Sequence, residues 1–163
     1  MIREARAGDG PALARVHRES AEYYVRLAPH HFRLPDEEGL VEFCEPGPEE
    51  NTETALALVA EVDGEVAGSL EAQLLPPVES ARYQILPDLG MTRLLINSVG
   101  TSRRFWRRGV ASRLVEAAEE WGRARGAAVA VCDTYHGSPV SLPFWEERMD
   151  YERRSIAFRK PLV

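Results

Sequence analysis

At 163 residues the chain has the length of one domain, expected to span 1–163, and it buries about two-thirds of the surface its unfolded form exposes, enough to fold without metal or disulfide. A hydrophobic share of 44 % and a charged share of 28 % exclude disordered and collagen-like classes. The net charge of −6 argues against nucleic acid as a partner, since a basic stripe is the usual footprint of such binding.

Met1 is followed at once by Ile2-Arg3-Glu4, and no run approaches the roughly 18 apolar residues of a spanning helix, so the reading is a cytoplasmic protein with no membrane partner. Cys44 and Cys132 lie far apart and suit free thiols in a reducing compartment. Cys132 ends an apolar run and reads as a small core residue. Lys160 is the only lysine, which reflects either coding bias or a preference for planar phosphate-binding groups.

Residues 2–6 open the chain as a short strand. Asp9 offers an N-cap and Pro11 sits in the first turn of a helix whose stripe is Leu13, Val16, Ser20, Tyr24 and Leu27. Residues 28–54 read as loop and short helix, and they are strongly acidic. Ala55 to Val62 and Glu65 to Leu74 are β-prone runs around Asp63-Gly64, a turn pair whose two positions both take positive φ. Pro76 and Pro77 close the second strand, and 78–90 is irregular.

Arg93 to Thr101 reads as a central strand. A helix is expected over 109–125, with Val110, Leu114, Ala117, Ala118 and Trp121 on its apolar face and Gly126 ending it. Ala127 to Cys132 has the all-apolar pattern of a strand buried on both faces. A short helix, Pro139 to Arg148 with Ser138 as cap, and a strand, Tyr151 to Phe158, complete the order.

The chemistry concentrates where the central strand ends and the long helix begins. The first turn of a helix carries unpaired N–H groups and partial positive charge, so an anion suits it. Gly109 has no Cβ, Ala111 and Ser112 are small, and Arg103, Arg104, Arg107 and Arg108 supply forked donors for phosphate oxygens. The competing reading is a solvated basic turn whose glycine serves only the bend. No G-x-x-x-x-G-K-[ST] exists, and no G-x-G-x-x-G follows a strand.

Trp106-Arg107-Arg108-Gly109-Val110-Ala111 resembles the [Q/R]-x-x-G-x-[G/A] acetyl-CoA loop of the GNAT superfamily of N-acetyltransferases. Ser138-x-x-Ser141-x-x-Phe144-Trp145-Glu146 is similar to that family's N-x-x-A-x-x-F-Y-E segment, and Met149-Asp150-Tyr151 stands where a Gly-Phe or Gly-Tyr pair follows. The resemblance implies an α/β (α+β) fold: a mixed, mostly antiparallel sheet of six to seven strands with helices on both faces.

It also implies that acetyl-CoA is the co-substrate, with no metal, and that the acceptor is a primary amine of a small molecule or peptide, which attacks the thioester directly; a homodimer is one option for assembly. Backbone amides of Arg107, Arg108, Gly109, Val110, Ala111 and Ser112 would hold the pyrophosphate. Val99 and Thr101 would pair with the pantetheine arm, and Ser138 would meet the cofactor from the other side. Three departures stand out: Trp106 replaces Arg or Gln, Asp150 replaces glycine, and Trp145 replaces the tyrosine many members use as general acid. That last change keeps a second reading in view, a non-catalytic acyl-CoA-binding module of the same fold.

An alkyl ammonium, with a pKa near ~10, needs a base before it can attack, whereas a thiolate, from a thiol of about 8.5, leaves with little help. Glu71 within the second hairpin strand is the candidate base, unless alternation simply turns it to solvent. Tyr135 is the candidate replacement acid against a plain loop tyrosine, with His136 beside it. Asn97 would orient a water or the acceptor, or else be a buried amide tied to backbone. The four histidines show no ligand spacing. The acidic stretch 36–54, with Tyr23 and Tyr24, either draws a cationic acceptor or forms a solvated face.

Overall fold

The computed structural model describes residues 1–162, in a larger unit, Met1–Asp133, and a C-terminal unit beginning at Thr134. The larger unit is built on one sheet ordered β1 (Ile2–Glu4), β2 (Ala55–Val62), β3 (Glu65–Leu75), β4 (Arg93–Thr101) and β5 (Val129–Cys132). All neighbours are antiparallel except β4 and β5, which run parallel. Asp63 and Gly64, at φ 53° and 79°, form the β2–β3 turn with both residues left-handed, as the sequence predicts.

Helices cover both faces. Gly68 pairs with Thr101, so Gly68 and Gly100 point to opposite sides of the sheet. A Cβ on Gly68 would lie 2.9 Å from Val110 of α3 (Val110–Arg123), and one on Gly100 would lie 3.0 Å from Val16 of α1 (Gly10–Leu27). Both glycines let a helix approach the strands closely. Under α3 the core is Leu70, Leu94, Val110, Leu114, Val115 and Ala118, all buried. Under α1, Ala57 and Val59 join Ala5 and Val66, with Ala12 and Leu13 packed against them.

The start of α1 departs from expectation. Asp9 makes no side-chain cap bond. Its carboxylate instead takes two bonds of 2.8 Å from the Arg3 guanidinium and one from the Arg6 amide, while Arg3 also reaches Glu61 on β2. Arg3 beside it holds the Asp9 carboxyl below the usual carboxylate range. The capping role passes to Glu45, just beyond α2 (Leu40–Phe43), whose oxygens accept the Gly8 and Gly10 amides. A Cβ on Gly10 would strike that carboxylate. One acidic residue of the 36–54 stretch is therefore structural.

The sequence pattern is corrected in four further places. Among the described residues the sheet has five strands rather than six to seven. The strand expected over Tyr151 to Phe158 forms no ladder, and Phe158 is 94 % exposed; a strand needs a partner as well as a pattern. β5 is half-buried rather than buried on both faces, because it is an edge. The helix expected over 139–148 is one short turn, α4 (Ser141–Pro143), followed by a π turn, Phe144–Arg148. Among the described residues no helix is long and apolar enough to cross a membrane.

Candidate active site

The site begins with a mismatch in strand length. β5 pairs with β4 only from Arg93 to Ile96, and β4 then runs on to Thr101 with no strand on that side. A bulge marks the parting. Ser98 stands opposite Glu71 and Ile96 opposite Ala72, so Asn97 is the extra residue. The Ser102 amide bonds Ala67 at 2.9 Å, which sets the phase of the β3–β4 ladder. In that phase Ser98 and Gly100 bond to β3, while Val99 and Thr101 turn their N–H and C=O groups to the open edge. The side chain of Thr101 adds a hydroxyl that is buried without a hydrogen-bond partner.

Beyond Thr101 the chain makes a short 3-10 turn, Arg103–Phe105, pinned by the buried Phe105. Arg107 (φ 60°) and Gly109 (φ 72°) then both take left-handed backbone, and Gly109 is the N-cap of α3. Turns of this kind gather N–H groups into an anion-binding concavity, here set on the positive end of a 14-residue helix. A Cβ on Gly109 would meet nothing within 4 Å, so the space over the turn is open and the glycine is needed for its backbone angle.

The four arginines divide. Arg103 is tied to α1, with its amide on Glu19 at 2.7 Å and its guanidinium on Glu22 at 2.9 Å. Arg104 pairs with Glu65. Among the described residues Arg107 and Arg108 have no ion-pair partner, and Arg108 lies over the Phe105 ring at 5.6 Å. Trp106 donates its indole N–H to the Thr101 carbonyl at 2.8 Å and meets the edge of Tyr23 with ring centres 5.8 Å apart. The residues fit a pyrophosphate and a strand-like arm: an open glycine turn, two uncommitted guanidinium groups, an exposed strand edge and an orphaned hydroxyl.

Glu71 shares a sheet face with Ser98 and Gly100, the face that α1 covers. Desolvation pushes its pKa above the ordinary carboxylate value, the charge of Glu50 adds to this, and His17 of α1 opposes it. Burial likewise raises the Cys44 thiol, with Glu71 and Glu50 contributing. His17 and Glu50 thus act electrostatically on the Glu71 carboxyl, and Glu71 on the Cys44 thiol, while Glu71 itself stays solvent-accessible. Phe43 faces His17, with ring centres 6.3 Å apart. Asn97 is exposed, not a buried amide, and accepts a long bond of 3.4 Å from Gln73. Burial and Asp133 push the Cys132 thiol up to about 12, which leaves it protonated and inert at neutral pH.

Tyr135 and Ser138 belong to the C-terminal unit. The Tyr135 ring lies beside that of His136 and folds over Gly137. Ser138 is fully buried, and its hydroxyl accepts the Ser141 amide at 3.0 Å. Trp145 is 7 % exposed, with its ring 4.9 Å from that of Tyr151. Asp150 has φ 60°, so the turn keeps the left-handed geometry a glycine would supply.

Sequence reasoning singles out Val99, Thr101, Glu71 and residues 107–112, and the structure sets them along one strand edge, one neighbouring strand and one helix start. It misses His17, Glu50 and Cys44 around Glu71, and the indole bond to Thr101. A signal for the α1 contacts was available, because Glu19, Glu22 and Tyr23 share one helical face.

Solved structures share this fold at low identity. A mutant of the BH1408 protein from Bacillus halodurans matches with TM-score 0.80 at 18 % identity, over 100 % of this chain and 99 % of its own. A transcriptional regulator from Bacillus halodurans C-125 gives 0.73 at 21 %, over 99 % of both chains. An aminoglycoside acetyltransferase from an uncultured soil metagenomic sample, in complex with sisomicin, gives 0.64 at 16 %, over 100 % of this chain and 96 % of that one. No curated protein matches. The model of the acetyltransferase (GNAT) family covers residues 14–151, most of the sheet, both long helices and the glycine turn, and the chain belongs to that family.

Proposed function

We propose that the chain is an N-acetyltransferase that takes the acetyl group of acetyl-CoA and delivers it to a primary amine. The open edge of β4, running directly into the Gly109 turn, carries this reading. It offers a pantetheine arm the same backbone partners a sixth strand would use, and it ends at the start of α3, whose unpaired amides suit a pyrophosphate. Amides of residues 107–112 bind the phosphates, with the Arg107 and Arg108 guanidinium groups adding charge.

Glu71 is the base. It stands opposite Ser98, beside the bulge where β4 and β5 separate and where the thioester is expected. Its raised pKa makes it a stronger proton acceptor than an ordinary carboxylate, and it takes the ammonium proton so that the neutral nitrogen can attack. The neutral nitrogen bonds the carbonyl carbon, the carbon–sulfur bond breaks, and the thiolate leaves and takes a proton from water.

The acceptor is a cationic small molecule or peptide amine drawn by the acidic 36–54 stretch. The sisomicin complex, and an aminoglycoside acetyltransferase, AAC(6')-Iy, with a bisubstrate analogue of coenzyme A and acetylneamine, place amino sugars first in the panel to be tried. Thiol release from acetyl-CoA, followed with a panel of amino sugars, polyamines and peptides, tests the proposal. Release that accelerates with at least one amine supports it. The buried Trp145, at the family's tyrosine position, favours one rival: a module that binds acyl-CoA without turnover. Binding with thiol release that no amine accelerates decides for that rival.

A further inference from the structure

We propose that Trp106 is a plug on the open edge of β4, and that the pantetheine arm of coenzyme A displaces it. The inference rests on the cofactor reading above and adds to it a step that this chain's own residues impose. An unpaired strand edge is a liability, because its N–H and C=O groups recruit other strands. Here the exposed part of the edge offers Val99 and Thr101, and one of their carbonyls is already taken. The indole N–H of Trp106 donates to the Thr101 oxygen at 2.8 Å, from a residue five positions along the chain.

An arm that pairs with β4 as a neighbouring strand brings its own amide N–H to that oxygen. The indole ring stands at the same oxygen and must move for the arm to lie flat.

Trp106 is held lightly enough to move. It is 39 % exposed, and its other ring contact is a single edge-on meeting with Tyr23. It lies between the 3-10 turn and Arg107, whose left-handed φ of 60° marks a sharp local bend. The plug shields the edge while the cofactor is absent, and it weakens cofactor binding by the free energy needed to move it. Because Tyr23 sits on α1, which also carries His17 toward Glu71, release of the indole also frees one contact on the helix that covers the acceptor side.

The test compares the wild type with W106F, which keeps an aromatic ring against Tyr23 and lacks the N–H donor. Both proteins are labelled with 5-fluorotryptophan, checked for equal melting temperature, and titrated with coenzyme A by calorimetry and by fluorine NMR. Losing one competing hydrogen bond predicts that W106F binds about fivefold more tightly. The tryptophan resonance missing from W106F is expected to shift when the wild type is saturated. Equal or weaker binding by W106F, or a Trp106 resonance unmoved at saturation, overturns the plug and leaves the cofactor reading intact. If neither protein binds coenzyme A, the cofactor reading and the plug fall together.

Discussion

The two halves of the candidate site are built in different ways. The cofactor side, from Val99 to Ser112, is one continuous stretch whose working parts are backbone: a strand edge, two left-handed residues and the first turn of α3. The acceptor side is made of side chains from separate segments, with His17 on α1, Cys44 after α2, Glu50 in a loop and Glu71 on β3. A backbone site depends on a few permissive residues and tolerates change elsewhere. A site of converging side chains depends on every element that brings them together, so it is expected to fail by degrees.

Gly109→Glu should show the first behaviour most strongly. A carboxylate at the turn repels the pyrophosphate, and a side chain at φ 72° strains the backbone by roughly 1 kcal/mol. Acetyl-CoA binding should fall by more than about a hundredfold, with the melting temperature lowered by only a few degrees. Retained binding would mean that the turn is not the phosphate site.

Glu71→Gln addresses the other half. It keeps the shape and removes the proposed base, so kcat should drop by about two orders of magnitude while the KM for acetyl-CoA stays put. In the wild type the rate should rise with pH through the raised pKa of Glu71, because only the carboxylate accepts a proton. That rising limb should vanish in the variant. An unchanged pH profile would remove Glu71 from the mechanism.

A third substitution tests the frame rather than either half. Asp9→Asn breaks the paired bonds to Arg3 that tie α1 to β1, and the expected loss is about 2 kcal/mol of stability. The sign follows from the lowered carboxyl pKa: the contribution is fully present above the ordinary value of 3.8 and is lost as pH falls through the folded-state value below it. Denaturant midpoints at neutral and acid pH should therefore converge for wild type and variant only at the acid end.

The smallest effect is expected at the acidic rim. Neutralising Glu37, Glu38 and Glu42 together should raise the KM of a cationic acceptor by about two- to fivefold at low salt, and the difference should shrink as salt is added. Glu37 already pairs with Arg18, which limits what it can contribute. No change in acceptor KM would make this stretch a solvated face.

The same division explains what could be read from the sequence. The Asp-Gly hairpin, the helix over residues 110–123 and the glycine turn are local, set by φ preference and periodicity within a few residues. The cofactor side is local too, so its motif was visible. The Glu71 surroundings are not, because nothing in the spacing of His17, Cys44 and Glu50 announces that they converge. Glu45 misled in the same way: in sequence it is one acid among many, and only the fold shows it capping α1. The expected strand over 151–158 failed for a related reason, since Ile156 and Phe158 supply the alternation while pairing depends on a distant edge.

The most direct test of the cofactor assignment is calorimetric titration of the wild-type protein with acetyl-CoA, with ATP as the phosphate control. The proposal predicts submillimolar binding of acetyl-CoA and no comparable binding of ATP, because it assigns to the β4 edge the recognition of an arm that ATP lacks. Absence of acetyl-CoA binding, or equal binding of both, would reduce the Arg107–Gly109 turn to a basic bend and contradict the acetyltransferase reading.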